Sequence, residues 1–239
     1  MPEPLTAALL FLVLLFANGI QAITGFAGTL LAMPPCIRLI GADDAKTVLN
    51  LLAQASCFLI LLGSWRSVNR RELAKMLVLM LAGMAVGIWL YRQLPLDFLL
   101  TVYGVLIAAV ALQKLFWPRL FPQKAGWLTL LVPLAGIIHG MFVSGGALLV
   151  VYASGALPRK EEFRATMAAV WFFLGFFLTG SQIRSGVVTP RVWLLTLFCL
   201  VPMALGTFVG GRLVKHISQG LFSKITYILL LLSGILAIF

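Results

Sequence analysis

Apolar residues come in long runs separated by short polar breaks, at about 5–21, 26–40, 47–64, 73–91, 96–117, 127–141, 145–157, 165–183, 190–211 and 220–239. A helix that crosses a bilayer needs about 20 such residues at ~1.5 Å rise each. The pattern therefore predicts, in each half, two closely joined segments followed by three full spans. The second member of each joined pair, 26–40 or 145–157, is short for a crossing. Each pair is expected to form either one broken helix or a re-entrant hairpin.

The pattern also repeats. Gly28-Thr29-Leu30-Leu31 is followed by Asp43-Asp44-Ala45-Lys46, and 118 positions later Gly146-Ala147-Leu148-Leu149 is followed by Glu161-Glu162-Phe163-Arg164. Residues 1–122 and 123–239 are read as two repeats within one membrane domain, 1–239. A glycine-interrupted hydrophobic segment that occurs twice points to a transport site.

Composition sharpens this picture. Hydrophobic residues make up 62% of the chain and charged residues only 10%, against about 25% charged in a soluble domain. The net charge of +11 does not indicate nucleic acid, because the bases sit singly or in small clusters between apolar runs. They act instead as a topology signal. If each joined pair starts and ends on one side, 13 of the 18 Lys and Arg fall on one face of the membrane. Arg38, Lys46, Arg92, Arg184 and Arg191 fall on the other. Treating each pair as one long span splits them 9 and 9. The positive-inside bias selects the first arrangement, with Arg66 to Lys75 cytoplasmic, both termini outside and the halves inverted. The expected fold is an all-α polytopic protein of the cell inner membrane. It has two inverted repeats, each a broken or re-entrant helix pair plus three transmembrane helices.

Cys36, Cys57 and Cys199 lie in or beside apolar runs without a CxxC pair, so they read as small buried residues. No metal site, disulfide framework or cofactor is expected. Met-Pro-Glu-Pro lacks a basic n-region and no A-x-A-like site follows, so residues 5–22 read as mature protein. Gly83-Met-Ala-Val-Gly87 and Gly206-Thr-Phe-Val-Gly210 are GxxxG patterns. They predict close helix packing, within a protomer or across a homodimer.

The candidate chemistry lies in the two breaks. The first, Asn18 to Thr29, gathers Gln21, Thr24, Gly25, Gly28 and Thr29. The second, Gly136 to Gly146, gathers His139, Ser144, Gly145 and Gly146, with His139 in the place of Gln21. Irregular backbone at membrane depth is tolerated only when buried in protein or lining a polar cavity. A helix beginning after such a break points unpaired N–H groups and its positive dipole end at it, which suits an anion. Asp43, Asp44, Glu161 and Glu162 open the following helices as first-turn acids, and Lys46 and Arg164 sit just inside them. Those two long side chains are expected to snorkel to the interface or to flank an entrance and attract anions.

With Gly25, Gly28 and Pro34 in the first glycine-rich stretch and Ser144-Gly145-Gly146 in the second, the chain resembles the sulfite exporter TauE/SafE family, also called the 4-toluene sulfonate uptake permease family. The likeness extends over nearly the whole chain. Ala27 and Tyr152 depart from the fuller pattern, which expects glycine and proline there. The resemblance implies membrane transport of small sulfur oxyanions or organosulfonates.

No Asp or Glu lies centrally in any apolar run, so a carboxylate relay is hard to build. Coupling to a proton or sodium ion would have to use His139, backbone carbonyls or the membrane potential. An enzyme is not expected: Phe142 stands where the intramembrane serine protease motif Gly-x-Ser-Gly has its first glycine, and neither HExxH nor a P-loop is present. The sequence thus reads as a secondary transporter for a small anion, embedded in the bilayer and working by alternating access. An anion channel and a non-transporting assembly subunit are the alternatives.

Overall fold

A computed structural model describes residues 3–117, 126–157 and 159–213, with isolated positions beyond. Every regular element among them is helical: α1 Pro4–Thr24, α2 Gly28–Ile40, α3 Ala42–Ser64, α4 Arg70–Gln93, α5 Leu96–Phe116, α6 Leu131–Phe142, α7 Gly146–Ala156, α8 Lys160–Arg184 and α9 Pro190–Leu213. Helices α1, α3, α4, α8 and α9 are long and apolar enough to cross a membrane. The expected run at 220–239 falls almost wholly outside the described residues. Large side chains such as Phe16, Trp89, Phe177 and Leu197 are exposed. That is the surface a chain needs when its solvent is lipid.

The joined segments do break, and they fold back. Helices α2, α6 and α7 have 13, 12 and 11 residues. At ~1.5 Å per residue they reach about 16–20 Å, well short of the ~30 Å hydrocarbon layer. Helix α2 packs on α1, and α7 on α6. At the first break a Cβ on Gly28 would meet the Ala17 carbonyl and Gln21 Cβ. At the second a Cβ on Gly145 would meet the Ala135 carbonyl and His139 Cβ. Ala135 and His139 lie 118 positions after Ala17 and Gln21, so the two hairpins close on equivalent residues.

The tightest packing joins one half of the chain to the other. Helix α4 lies along α6, where Gly83 and Gly87 face the Pro133 and Ile137 carbonyls. Helix α9 lies along α1, where Gly206 and Gly210 face the Leu15 and Gly19 carbonyls. Any Cβ at those four glycines would strike backbone, which is why small residues recur at a four-residue spacing. Each half therefore lends its GxxxG span to the hairpin of the other. The matching residues are Gly83 with Gly206 and Gly87 with Gly210. The sequence alone, aligned on Met84-Ala85 and Met203-Ala204, sets these glycines out of step.

Helices α3 and α8 form the centre. Asn50 Nδ2 donates to Thr179 Oγ1 at 2.8 Å and Gln182 Oε1 at 3.0 Å, and Gln54 Nε2 reaches Thr179 Oγ1 at 2.7 Å. One end of this pair is tied through Asn69, whose N–H donates to Thr166 Oγ1 and whose Nδ2 donates to Glu162 Oε1. The other end carries the Arg191–Asp44 ion pair at 3.1 Å.

Candidate functional site

At the first break α1 stops because Gly25 takes the left-handed conformation, φ 82°, and returns its N–H to the Gln21 carbonyl at 2.7 Å. The strand of chain that follows is held by its own side chains. Thr24 Oγ1 accepts from the Phe26 and Ala27 N–H groups, both at 3.1 Å, and donates to the Ile20 carbonyl at 2.8 Å. Gln21 Oε1 accepts from the Gly28 N–H at 2.7 Å, which caps the first turn of α2, while its Nε2 rests on Cys57 Sγ at 3.4 Å. Asn18, Gln21, Gly28 and Thr29 line a small cavity against Leu49, Leu52 and Ala53. Its volume is about 10 Å³, roughly the room one water requires.

The second break has the same backbone path and a different lining. Val143, 118 positions after Gly25, holds the left-handed corner at φ 57°, and its N–H returns to the His139 carbonyl at 2.8 Å. Left-handed backbone is costly for a β-branched residue, so packing around buried Val143 enforces it. Ser144 Oγ donates to the Phe142 carbonyl at 2.8 Å. Among the described residues no side chain accepts from the Gly145 or Gly146 N–H. His139 is 3% exposed, and both its ring nitrogens lack a hydrogen-bond partner. The ring lies 5.0 Å from that of Trp171 on α8, whose Nε1 is also unpartnered.

The two breaks touch. A Cβ on Gly146 would come within 3.1 Å of the Phe26 carbonyl and 3.2 Å of the Leu30 side chain. The first break also receives a base from the opposite half, and a second base lies behind the aromatic residue that packs on α6. The half-buried Arg164 donates from Nε to the Ala22 carbonyl at 2.7 Å, beside Gly25. Lys46, 8% exposed, sets Nζ 3.8 Å above the ring of Tyr91, and Tyr91 packs edge-on against Phe142. Neither side chain reaches freely outward: Arg164 bonds beside the first break, and buried Lys46 packs on Tyr91. Tyr91 and Trp171 gave no sign of themselves in the sequence, being aromatics in apolar runs. Lys46 and Arg164 were visible as matching positions of the repeat.

The helices are those of a multi-pass membrane protein, and the family match and a similar protein make the class an inner-membrane transporter. The chain belongs to the sulfite exporter TauE/SafE family, whose model matches residues 10–237. It is 27% identical over 182 residues to a Comamonas testosteroni protein described as "Probable inner membrane transporter protein TsaS", covering 72% of this chain and 73% of that one. No solved structure matches.

Proposed function

We propose that the chain is a secondary transporter that moves a sulfur oxyanion or organosulfonate through the junction of its two breaks by alternating access. The observation that carries this reading is the meeting of the breaks at Gly146 and Phe26, with Arg164 of the second half bonded beside the first break and Lys46 of the first half buried against Tyr91. The sulfite-exporter description of the family model supports the substrate class, and the transporter name of the Comamonas relative supports transport. Residues 1–122 and 123–239 act as inverted repeats in this reading, and the exchanged packing of α4 on α6 and α9 on α1 supports it. Gln21, Thr24, Gly25, Gly28 and Thr29 form one wall of the site. His139, Ser144, Gly145 and Gly146 form the other.

The water-sized cavity means that a sulfonate cannot be accommodated at the first wall as it stands. Movement of one hairpin against the other would open the junction to one side at a time. Proteoliposomes containing the purified protein test the proposal, using sulfite, thiosulfate, aryl and alkyl sulfonates and short carboxylates. Saturable counterflow of the sulfur anions is expected. Steady single-channel current without counterflow would replace the carrier with a channel, and transport of none of the anions would remove the reading.

A further inference from the structure

The two breaks share a backbone path, yet their side chains treat the following helix in opposite ways. At the first, Gln21 Oε1 already sits on the Gly28 N–H, an uncharged oxygen where an anion's oxygen would otherwise fit. Thr24 Oγ1 takes the two N–H groups before it. This break is closed on itself. At the second, the equivalent of Gln21 is His139, which offers no oxygen to the α7 terminus and whose nitrogens are bonded to nothing.

Two unpartnered polar groups, each on a residue more than nine-tenths buried, meet there: the His139 imidazole of α6 and Trp171 Nε1 of α8; Lys46 of α3, equally buried, stands behind Tyr91. His139 lies beside Gly145 at the α7 terminus and against the Trp171 ring. Lys46 Nζ lies over the Tyr91 ring, and Tyr91 packs edge-on against Phe142, the last residue of α6. No carboxylate pairs with Lys46 within 4.0 Å among the described residues. Asp43, three positions before Lys46 on α3, accepts at Oδ1 from the Tyr91 hydroxyl. Buried polar groups without partners are rare and mark places where a ligand or water completes the bonding. His139, Trp171 and Lys46 can each donate a hydrogen bond, and His139 stands beside a helix terminus that has no side-chain cap.

We infer that the second break alone binds the anion, with Lys46 as its countercharge, Trp171 Nε1 and His139 as neutral donors and the Gly145–Gly146 amides completing the shell, while the first break is a self-ligated frame. The inference rests on the transport reading above and narrows it to one half-site. It assigns specificity to Trp171 and Lys46, which lie on helices flanking the hairpin. An oxyanion with several exposed oxygens suits a shell of donors supplied by α3, α6, α7 and α8.

The test compares half-saturation and maximal rate of sulfite and sulfonate counterflow in wild type, Trp171→Phe, Lys46→Arg and Lys46→Met. Trp171→Phe keeps a ring against His139 and removes only the donor. Its half-saturation should rise about fivefold, as expected for one lost hydrogen bond, with the maximal rate within about twofold. Lys46→Met should raise half-saturation roughly tenfold or more, and Lys46→Arg should restore much of it. If Lys46→Met fails to assemble, Trp171→Phe carries the test alone. Wild-type half-saturation in Trp171→Phe, with wild-type transport intact, overturns this inference and leaves the transport reading standing. A wild-type protein that moves none of the anions overturns both.

Discussion

Thr24 offers the cleanest perturbation of the first break. Its hydroxyl is 3% exposed as a residue and accepts from two buried N–H groups, those of Phe26 and Ala27. Thr24→Val keeps the branched shape and removes the acceptor. Each abandoned N–H costs about 1–3 kcal/mol, so the pair costs roughly 2–6 kcal/mol. At ~2–4 °C per kcal/mol for a chain of this size, the melting temperature should fall by roughly 5–20 °C. The assay is thermal unfolding of purified protein in detergent, followed by tryptophan fluorescence. Thr24→Ser, which keeps the oxygen, serves as the control and should lose only a fraction of that. A Thr24→Val protein that melts within a degree or two of wild type would refute the reasoning. The corner would then be held by something other than the hydroxyl, and the first break could no longer be called self-ligated.

Two other substitutions probe the same region. Gly25→Ala forces a Cβ into the left-handed conformation, at about 1–2 kcal/mol, and brings it 2.9 Å from the Arg164 carbonyl. The same melting assay should show a clear drop, and an unchanged value would mean the corner is free to relax. Gly146→Leu should abolish counterflow while membrane insertion persists, because even a Cβ lies 3.1 Å from Phe26; full activity would place the transport path elsewhere.

Much of the fold could be read from the sequence because membrane helices announce themselves by length and polarity. The breaks at Gly25 and around Val143, the short partners α2 and α7, and the long spans all follow from where apolar runs stop. The lining of the site was harder to read. Glycine was the natural choice for a left-handed corner, and it serves at Gly25. In the second break the corner falls on Val143, while Gly145 is small because the Ala135 carbonyl and His139 crowd it. Conformational need and close approach both select glycine, and a sequence cannot say which operates. The inward turn of Lys46 depends on Tyr91, 45 positions away, and the Trp171 contact with His139 joins α8 to α6 across 32 positions. Such pairings belong to tertiary structure and leave no periodic trace.

The exchanged packing has a consequence for the order in which the protein is made. Gly83 and Gly87 are synthesised before Pro133 and Ile137, so the second hairpin emerges with its groove already waiting, 50 positions behind it. The first hairpin has no such host. Leu15 and Gly19 must wait for Gly206 and Gly210, 191 positions later. At ~5–20 residues per second that delay is about 10–40 s. For that interval the α1 surface that will receive α9 faces lipid or the insertion machinery. Newly made chains halted before α9 should therefore be the ones that membrane quality control recognises and removes.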